Sequence, residues 1–316
     1  MTKIQLPKPQ TTEFLPVRLL SLLAIVLLLG ACSALPTDFE KTPSYALEET
    51  SDSQLNSKLQ HLFEENPDKS GFRTLSEGEE AFVARLRLIN EAQTSLDVQY
   101  YIWHDDLTGR TTYNRLLAAA DRGVRVRILL DDLDTAGKDQ MLRIIDAHPQ
   151  IEIRVYNPFA NRDKRTRDFL GDTRRINRRM HNKTITGDNV ATIFGGRNIG
   201  DEYFAAAEDV GFGDMDALAV GPIAAEVSAQ FDLYWNSEWA YPITAFKWES
   251  AISQEEIKAF RAESDTHLEQ VRNSKYADIV RQYDMSTIAS IEELDFVWSK
   301  WLLAYDHPSK VEALSL

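Results

Sequence analysis

The stretch His181-Asn182-Lys183-Thr184-Ile185-Thr186-Gly187-Asp188 is followed by six residues and then by Gly195-Gly196-Arg197-Asn198. On a strand, side chains two apart share a face, so His181 and Lys183 are expected to point at one spot while Asn182 points away. Gly187-Asp188-Asn189 offers a turn, and residues 190–194 read as a returning strand. Such a hairpin brings Gly195, Gly196 and Asn198 back to the His181 end. The set then holds a nucleophile or base, a fixed cation, a neutral amide donor and backbone free of side chains. Those are the parts needed to hold an anionic phosphoryl group and attack it.

Upstream of this hairpin, residues 161–183 carry Arg162, Lys164, Arg165, Arg167, Arg174, Arg175, Arg178, Arg179 and Lys183 against only Asp163, Asp168 and Asp172. In a chain of net charge −14 this is a local positive island, suited to lining the mouth of a phosphate site. Further out, strand and helix alternate. Ser76 with Glu79 reads as a capping box for a helix bearing Phe82, Leu86 and Ile89 on one face. Residues 95–103 alternate as a strand, 111–122 read as a helix closed by Gly123, and 124–130 as a buried strand. Residues 139–147 are again helical and 151–156 again strand-like. The pattern predicts an α/β domain, a mixed sheet flanked by helices, present in a single copy. After Trp239 the chain reads as helical, with Ser253 and Glu256 as another capping box, giving a helical C-terminal extension.

The motif His-x-Lys, four residues, Asp, six residues, Gly-Gly-x-Asn resembles the signature of the phospholipase D superfamily, and His181, Lys183, Asp188, Gly195, Gly196 and Asn198 match it without a gap. The flanks Asp97-Val98-Gln99-Tyr100-Tyr101-Ile102-Trp103, Leu129-Leu130-Asp131-Asp132 and Asn177-Arg178-Arg179-Met180 are similar, more narrowly, to the bacterial cardiolipin synthase C branch. The likeness runs well over residues 71–239 and more loosely beyond. It implies a phospholipase D-like fold and a two-step phosphodiester exchange that uses neither metal nor other cofactor. His181 is then the nucleophile, forming a phosphohistidine that an alcohol or water resolves. Lys183 and Asn198 are expected on the equatorial oxygens, and Gly195, Gly196, Arg178 and Arg179 along the bound ester. Asp214 is expected to orient the imidazole, with Asp216 as its fallback. Asp188 counts with the catalytic signature, although its place beyond the turn favours a structural role. His61, His104, His148, His267 and His307 stand without metal-ligand spacing.

The family normally joins two such motifs across a two-fold or pseudo-two-fold axis, one histidine attacking while the other protonates the leaving oxygen. This sequence has one: His267-Leu268-Glu269 lacks the lysine, and His307-Pro308-Ser309-Lys310 has the wrong spacing. The resemblance therefore implies half of an enzyme, completed by a second copy or by a separate second-half polypeptide.

The 316 residues are 43% apolar, enough for a packed core, and the one cysteine permits no internal disulfide. Lys3, Lys8 and Arg18 precede an apolar run over residues 19–29, shorter than the roughly 20 residues that span a bilayer and suited to a signal-peptide core. The run ends Leu29-Gly30-Ala31-Cys32, which resembles a bacterial lipobox and implies lipidation of Cys32. Ser33 rather than aspartate then implies the outer membrane, with the domain facing the periplasm. The expected organisation is a lipoprotein signal peptide over 1–31, a tether over 32–70, the catalytic half over 71–245 and a helical link toward a missing second half over 246–316. Acidic net charge argues against nucleic acid as a general partner and, with the tether, favours a phospholipid membrane. Phosphatidyl transfer on phospholipids is the leading expectation. An exported phosphodiesterase or nuclease, or an inactive remnant serving as a membrane-tethered module, are the alternatives.

Overall fold

The computed structural model describes residues 34–311 apart from 49, 51, 171, 172, 208–210, 275, 279 and 282–289. The apolar run and Cys32 lie outside the described residues. In chain order, α1 (Gln54–Glu65) leads to β1 (Ser70–Leu75), α2 (Gly78–Glu91), β2 (Ser95–Tyr100), α3 (Leu107–Asp121), β3 (Arg125–Asp131), α4 (Asp139–Asp146) and β4 (Ile151–Tyr156). A short helix, α5 (Thr173–Ile176), precedes β5 (Thr184–Gly187), β6 (Ala191–Gly195), β7 (Asp216–Val220), α6 (Pro222–Asn236) and β8 (Ala240–Pro242). Then come α7 (Gln254–Arg272) and β9 (Val297–Ser299).

One sheet joins the strands in the order β8-β4-β3-β2-β5-β6-β7-β1-β9. Strands β2, β3 and β4 run parallel, and the remaining pairings are antiparallel, so the sheet is mixed as expected. Strand β3 is covered on both faces, one lined by Val126, Ile128 and Leu130 and the other by Arg127, Leu129 and Asp131. Val126, Ile128 and Leu130 enter a core shared with Ala81, Phe82 and Ile89 of α2 and with Leu116 of α3. Leu129 points the other way, toward Phe231, Tyr234 and Trp235 of α6.

That second face also buries charge. Arg127 pairs with Asp97 at 2.7 Å and lies 4.8 Å from the centre of the Phe231 ring. On the α2 face, Asp216 of β7 meets Arg85 at 2.8 Å, and the same guanidinium donates to the Tyr100 hydroxyl at 3.0 Å. Both partners of that pair are fully buried, so removing either leaves an uncompensated charge at a cost of about 3–5 kcal/mol.

Three expectations need correction. Residues 32–70 are not tether throughout. Leu55 and Leu59 of α1 are buried in the main core, and residues 42–46 lie along the α6 face, where Arg154 donates to Thr42 O at 2.7 Å and Arg127 to Ser44 O at 2.8 Å. Polar composition hid this because the strap is held through its backbone carbonyls. Ser76 does not cap α2: the helix begins at Gly78 after Glu77, and the Ser76 carbonyl accepts from Arg197 instead. Finally, 246–316 is not all helix. Ser253 and Glu256 do form the capping box of α7, but β9 pairs with β1, and the last described residues return to the sheet beside Tyr156. The edge of β1 offers unpaired backbone groups, and a strand satisfies them where a helix cannot.

Candidate active site

The carboxyl ends of parallel strands form a natural crevice, and β2 and β3 both end there. Strand β5 runs antiparallel to β2 with Gln99 opposite Thr184, which sets the residues before β5 beside those after β2. His181 therefore stacks on Tyr101, ring centres 4.0 Å apart and planes inclined by 22°. The Lys183 ammonium lies 5.4 Å from the centre of the same ring and donates to His181 O at 2.8 Å. The expected convergence of the two side chains is thus present, although regular strand begins only at Thr184. Tyr101 is the platform that the motif alone did not reveal.

The returning strand delivers Asn198. Its Oδ1 accepts from Ile102 N at 3.1 Å and its Nδ2 donates to the Tyr203 hydroxyl at 3.0 Å, so the amide is held between the segments after β2 and after β6. Asn198 is buried. Its remaining Nδ2 hydrogen, with the Tyr203 hydroxyl, is what this side offers to a phosphoryl oxygen.

The glycines serve a different purpose from the one expected. A Cβ on Gly195 would stand 2.6 Å from Met215 O, and one on Gly196 would stand 2.6 Å from Asp214 Oδ1. Their N–H groups are taken by Lys183 O at 3.3 Å and Met215 O at 3.1 Å. Missing side chains here admit the Asp214–Asp216 segment against the hairpin, and the amides are not free to hold an ester.

Asp214 consequently sits on the lysine side. Its charge acts to raise the Lys183 ammonium, whose pKa burial nevertheless holds below its usual value. Among the described residues Asp214 makes no hydrogen bond to the His181 ring. Asp216 is no substitute, being locked with Arg85 and 3.4 Å from Arg197. Asp188 lies at the opposite end of the hairpin, fully buried, where its carboxylate accepts from Gln93 N, Thr94 N, Thr94 Oγ1 and Ser95 N. A carboxylate so occupied and four strand residues from Lys183 takes no part in chemistry at His181.

Much of the positive island is neutralised internally. Arg162 pairs with Asp132 at 2.6 Å and with Asp139, and Arg165 reaches Asp132 at 3.4 Å. Arg179 is buried against Asp131 at 3.0 Å, and Asp131 also accepts from Met180 N at 2.8 Å. Asp131, at the end of β3, thereby fixes the two residues that precede His181, and burial pushes its own pKa up to about 6. Arg178 donates to Lys310 O. Lys310 and Asp306 arrive from the far end of the chain and act on the His181 ring. Burial first, then Lys183 and Lys310, push the imidazole pKa below its ordinary value of 6.5, while Asp306 opposes them. His181 is accordingly neutral at pH 7, the form that can attack phosphorus.

Of the other histidines, His148 meets Asp121 at 3.2 Å, and His307 faces Ser309 at 2.7 Å. His104 departs from the sequence reading. With Asp106 and Glu202 it places ligand-type atoms within 4.8 Å of one another, a grouping hidden by the distance of Glu202 in sequence. Its Nδ1 lies 3.1 Å from Glu202, and the neighbouring Asp134 is matched by Lys138 at 2.6 Å.

Comparison with known proteins finds likeness over the region that holds these residues. The family described as "Cardiolipin synthase, PLD-like domain" matches residues 86–235, which include His181 to Asn198. Cardiolipin synthase C of Escherichia coli is 40% identical over 263 residues, 82% of this chain and 54% of that protein. An uncharacterized protein of Helicobacter pylori is 43% identical over 58% of this chain and 37% of its own length. A cardiolipin synthase of Staphylococcus aureus is 30% identical over 52% of this chain and 32% of its own. The chain thus spans about half the length, or less, of these curated relatives. A solved phospholipase D family member, Nuc from Salmonella typhimurium, covers 55% of this chain and 97% of its own with 21% identity and a TM-score of 0.40, a likeness that carries no further argument. With the hairpin motif intact inside it, residues 86–235 make up a phospholipase D-like domain of the cardiolipin synthase type.

Proposed function

We propose that this chain supplies one half of a phosphatidyl-transfer site acting on phospholipids, with His181 as the group that becomes phosphorylated. The observation that carries the reading is the convergence of His181 and Lys183 on Tyr101, with Asn198 held at the end of the partner strand. In the first step an imidazole nitrogen attacks phosphorus, the N–P bond forms, and the P–O bond to the head-group alcohol breaks. The leaving oxygen takes a proton from a general acid. In the second step an acceptor hydroxyl attacks phosphorus, gives its proton to a base and releases the imidazole. Lys183 holds the equatorial oxygens through charge, and the same charge adds to burial in favouring the neutral imidazole beside it.

The leaving oxygen lies in line with, and opposite to, the attacking nitrogen, so His181 cannot also protonate it. General acid assistance contributes about 10²–10⁴ in rate. A second copy of the chain, or a separate polypeptide carrying a second motif, supplies that acid in this reading. Lipidation of Cys32 would hold the site at a membrane surface, on the periplasmic face of the outer membrane. Purified full-length chain incubated with phosphatidylglycerol should release glycerol and form a phosphate-labelled protein adduct that His181→Asn abolishes. Cleavage of single-stranded DNA in preference to lipid would refute the substrate class. Activity that rises with the square of protein concentration indicates two copies.

A further inference from the structure

A second cluster of polar side chains shares none of its members with the catalytic set. Strand β2 ends at Tyr100 and β6 at Gly195, and the segments that follow them run side by side. Trp103 bridges to Ile199, His104 N donates to Ile199 O at 2.9 Å, and Ile199 N donates to Ile102 O at 3.2 Å. This pairing brings His104 and Asp106 of one segment to Glu202 of the other. The imidazole Nδ1 lies 3.1 Å from Glu202 Oε1 and 4.0 Å from Asp106 Oδ2. Donors held about 2.0–2.1 Å from a tetrahedral zinc ion stand roughly 3.3 Å apart, so the two spacings bracket the required edge. Gly200 leaves the room: a Cβ there would meet Glu202 Oε2 at 2.8 Å and His104 Nδ1 at 3.0 Å. The supports of the donors are also in place. Asp106 Oδ1 accepts from Gly109 N at 2.9 Å and its Oδ2 from Asp201 N at 2.8 Å. On the other edge of the ring, His104 Nε2 lies 3.8 Å from Asp134 Oδ1, and Asp134 is itself fixed by Trp103 N at 3.0 Å. A carboxylate behind the imidazole is the outer partner that orients a metal-bound histidine. Three carboxylates thus surround the ring, and among the described residues Lys138 is the one cation paired with them.

We propose that His104, Asp106 and Glu202 bind a divalent transition-metal ion, zinc before manganese, with water completing the shell. An imidazole among the donors favours such ions over calcium and magnesium, which take oxygen ligands. The ion takes no part in phosphoryl transfer. It ties the segment after β2 to the segment after β6, and those same segments hold Asn198 through Ile102 N and the Tyr203 hydroxyl. The metal is therefore a clamp on the side of the site that carries Asn198.

Metal binding to the full-length chain tests this without requiring turnover. Chain stripped with chelator and titrated with zinc alone at neutral pH should take up one ion with a Kd of about 1 μM. His104→Gln should weaken binding about 100-fold or more, and Asp134→Asn, which removes only the outer partner, about tenfold. Gly200→Ala tests the geometry without touching a ligand. The φ of Gly200 is 173°, extended backbone that alanine adopts, so circular dichroism should stay unchanged while the added methyl parts the donors and affinity falls severalfold. His148→Gln, at a histidine beside Asp121, should bind zinc as the wild type does. Zinc-edge absorption should show one imidazole with oxygen ligands. With zinc at a hundred times Kd, amide exchange at His104 and Ile199 through openings that part the two segments should slow about 100-fold. No zinc uptake below millimolar concentration overturns the site, as does an affinity that survives both His104→Gln and Gly200→Ala. Loss of binding in His181→Asn in place of His104→Gln moves the ion to the catalytic ring and overturns it too. Zinc bound as described with exchange unchanged at His104 and Ile199 overturns the clamp.

Discussion

The two ends of the β5–β6 hairpin belong to one sequence motif and are built on opposite plans. At one end His181 is exposed, touches Tyr101 through a ring face and keeps its nitrogens uncommitted among the described residues. At the other end Asp188 is fully buried and filled with donors from the α2–β2 connection. Asp188 and Asn189 both adopt positive φ, 50° and 55°, which Asp and Asn tolerate because their short side chains bond locally. A reactive end needs open valences, and a structural end needs none. The spacing between them is the length of a strand pair that holds one while presenting the other.

Separating the two ends by mutation gives the largest expected effects. In an assembly that turns over, His181→Asn should lower kcat by about 10⁴ or more, because nucleophile and proton carrier go together. Its urea midpoint should stay close to wild type, since the residue is exposed. Asp188→Ala should do the opposite, losing about 3–5 kcal/mol of stability as three backbone donors and the Thr94 hydroxyl lose their shared acceptor. Any Asp188→Ala protein that remains folded should keep its chemistry per folded molecule. An Asp188→Ala variant with wild-type stability and a large loss of kcat would break the division between the ends.

A smaller effect is expected at Asp131, which belongs to neither end but sets the His181 approach. Asn at this position keeps an acceptor for Met180 N and removes the charge facing Arg179. Misplacing the imidazole by a fraction of an ångström should lower kcat about 10–100-fold with KM for the donor lipid little changed. A purely structural role would instead reduce the amount of folded enzyme and leave kcat alone. Measuring kcat and KM against active-site concentration tells the two apart.

How far these features could be read from sequence follows their range. The hairpin, its turn and the meeting of His181 with Lys183 are local, and strand periodicity sufficed for them. The alternation around 95–156 likewise gave the mixed sheet, because each element carries its own apolar pattern. Gly195 and Gly196 mislead because a missing side chain reports that something comes close without saying what. Here it is the Asp214–Asp216 segment of the chain itself, not an ester. The Arg-rich stretch reads as free charge because its acceptors Asp131 and Asp132 lie some thirty to fifty residues earlier. The spacing of Lys310 from His307 says nothing of its place, which is set by Tyr156 and Tyr234 holding the backbone around it.

The smallest effect, and the most direct probe of the reactive end, is the titration of His181 itself. Burial and the Lys183 and Lys310 charges lower its pKa, and Asp306 works against them. The folded chain therefore binds this proton less readily than the unfolded chain does. As pH falls below 6.5 the unfolded state takes up the proton first, so this residue's contribution to stability declines on the acid side. The same sign applies to catalysis: the neutral imidazole persists below pH 6.5, and the acid limb of any rate profile should lie under that value. Assigned by its loss in His181→Asn, the ring C–H resonance should titrate below 6.5 in the wild type. Lys310→Gln removes a repelling cation and should move the midpoint up, while Asp306→Asn removes an attracting anion and should move it down. Opposite shifts locate both residues at the ring, as the docking of the far segment requires. If Lys310→Gln leaves the midpoint where it was, that segment does not sit against His181 in solution, and the charges at the reactive end come from Lys183 alone.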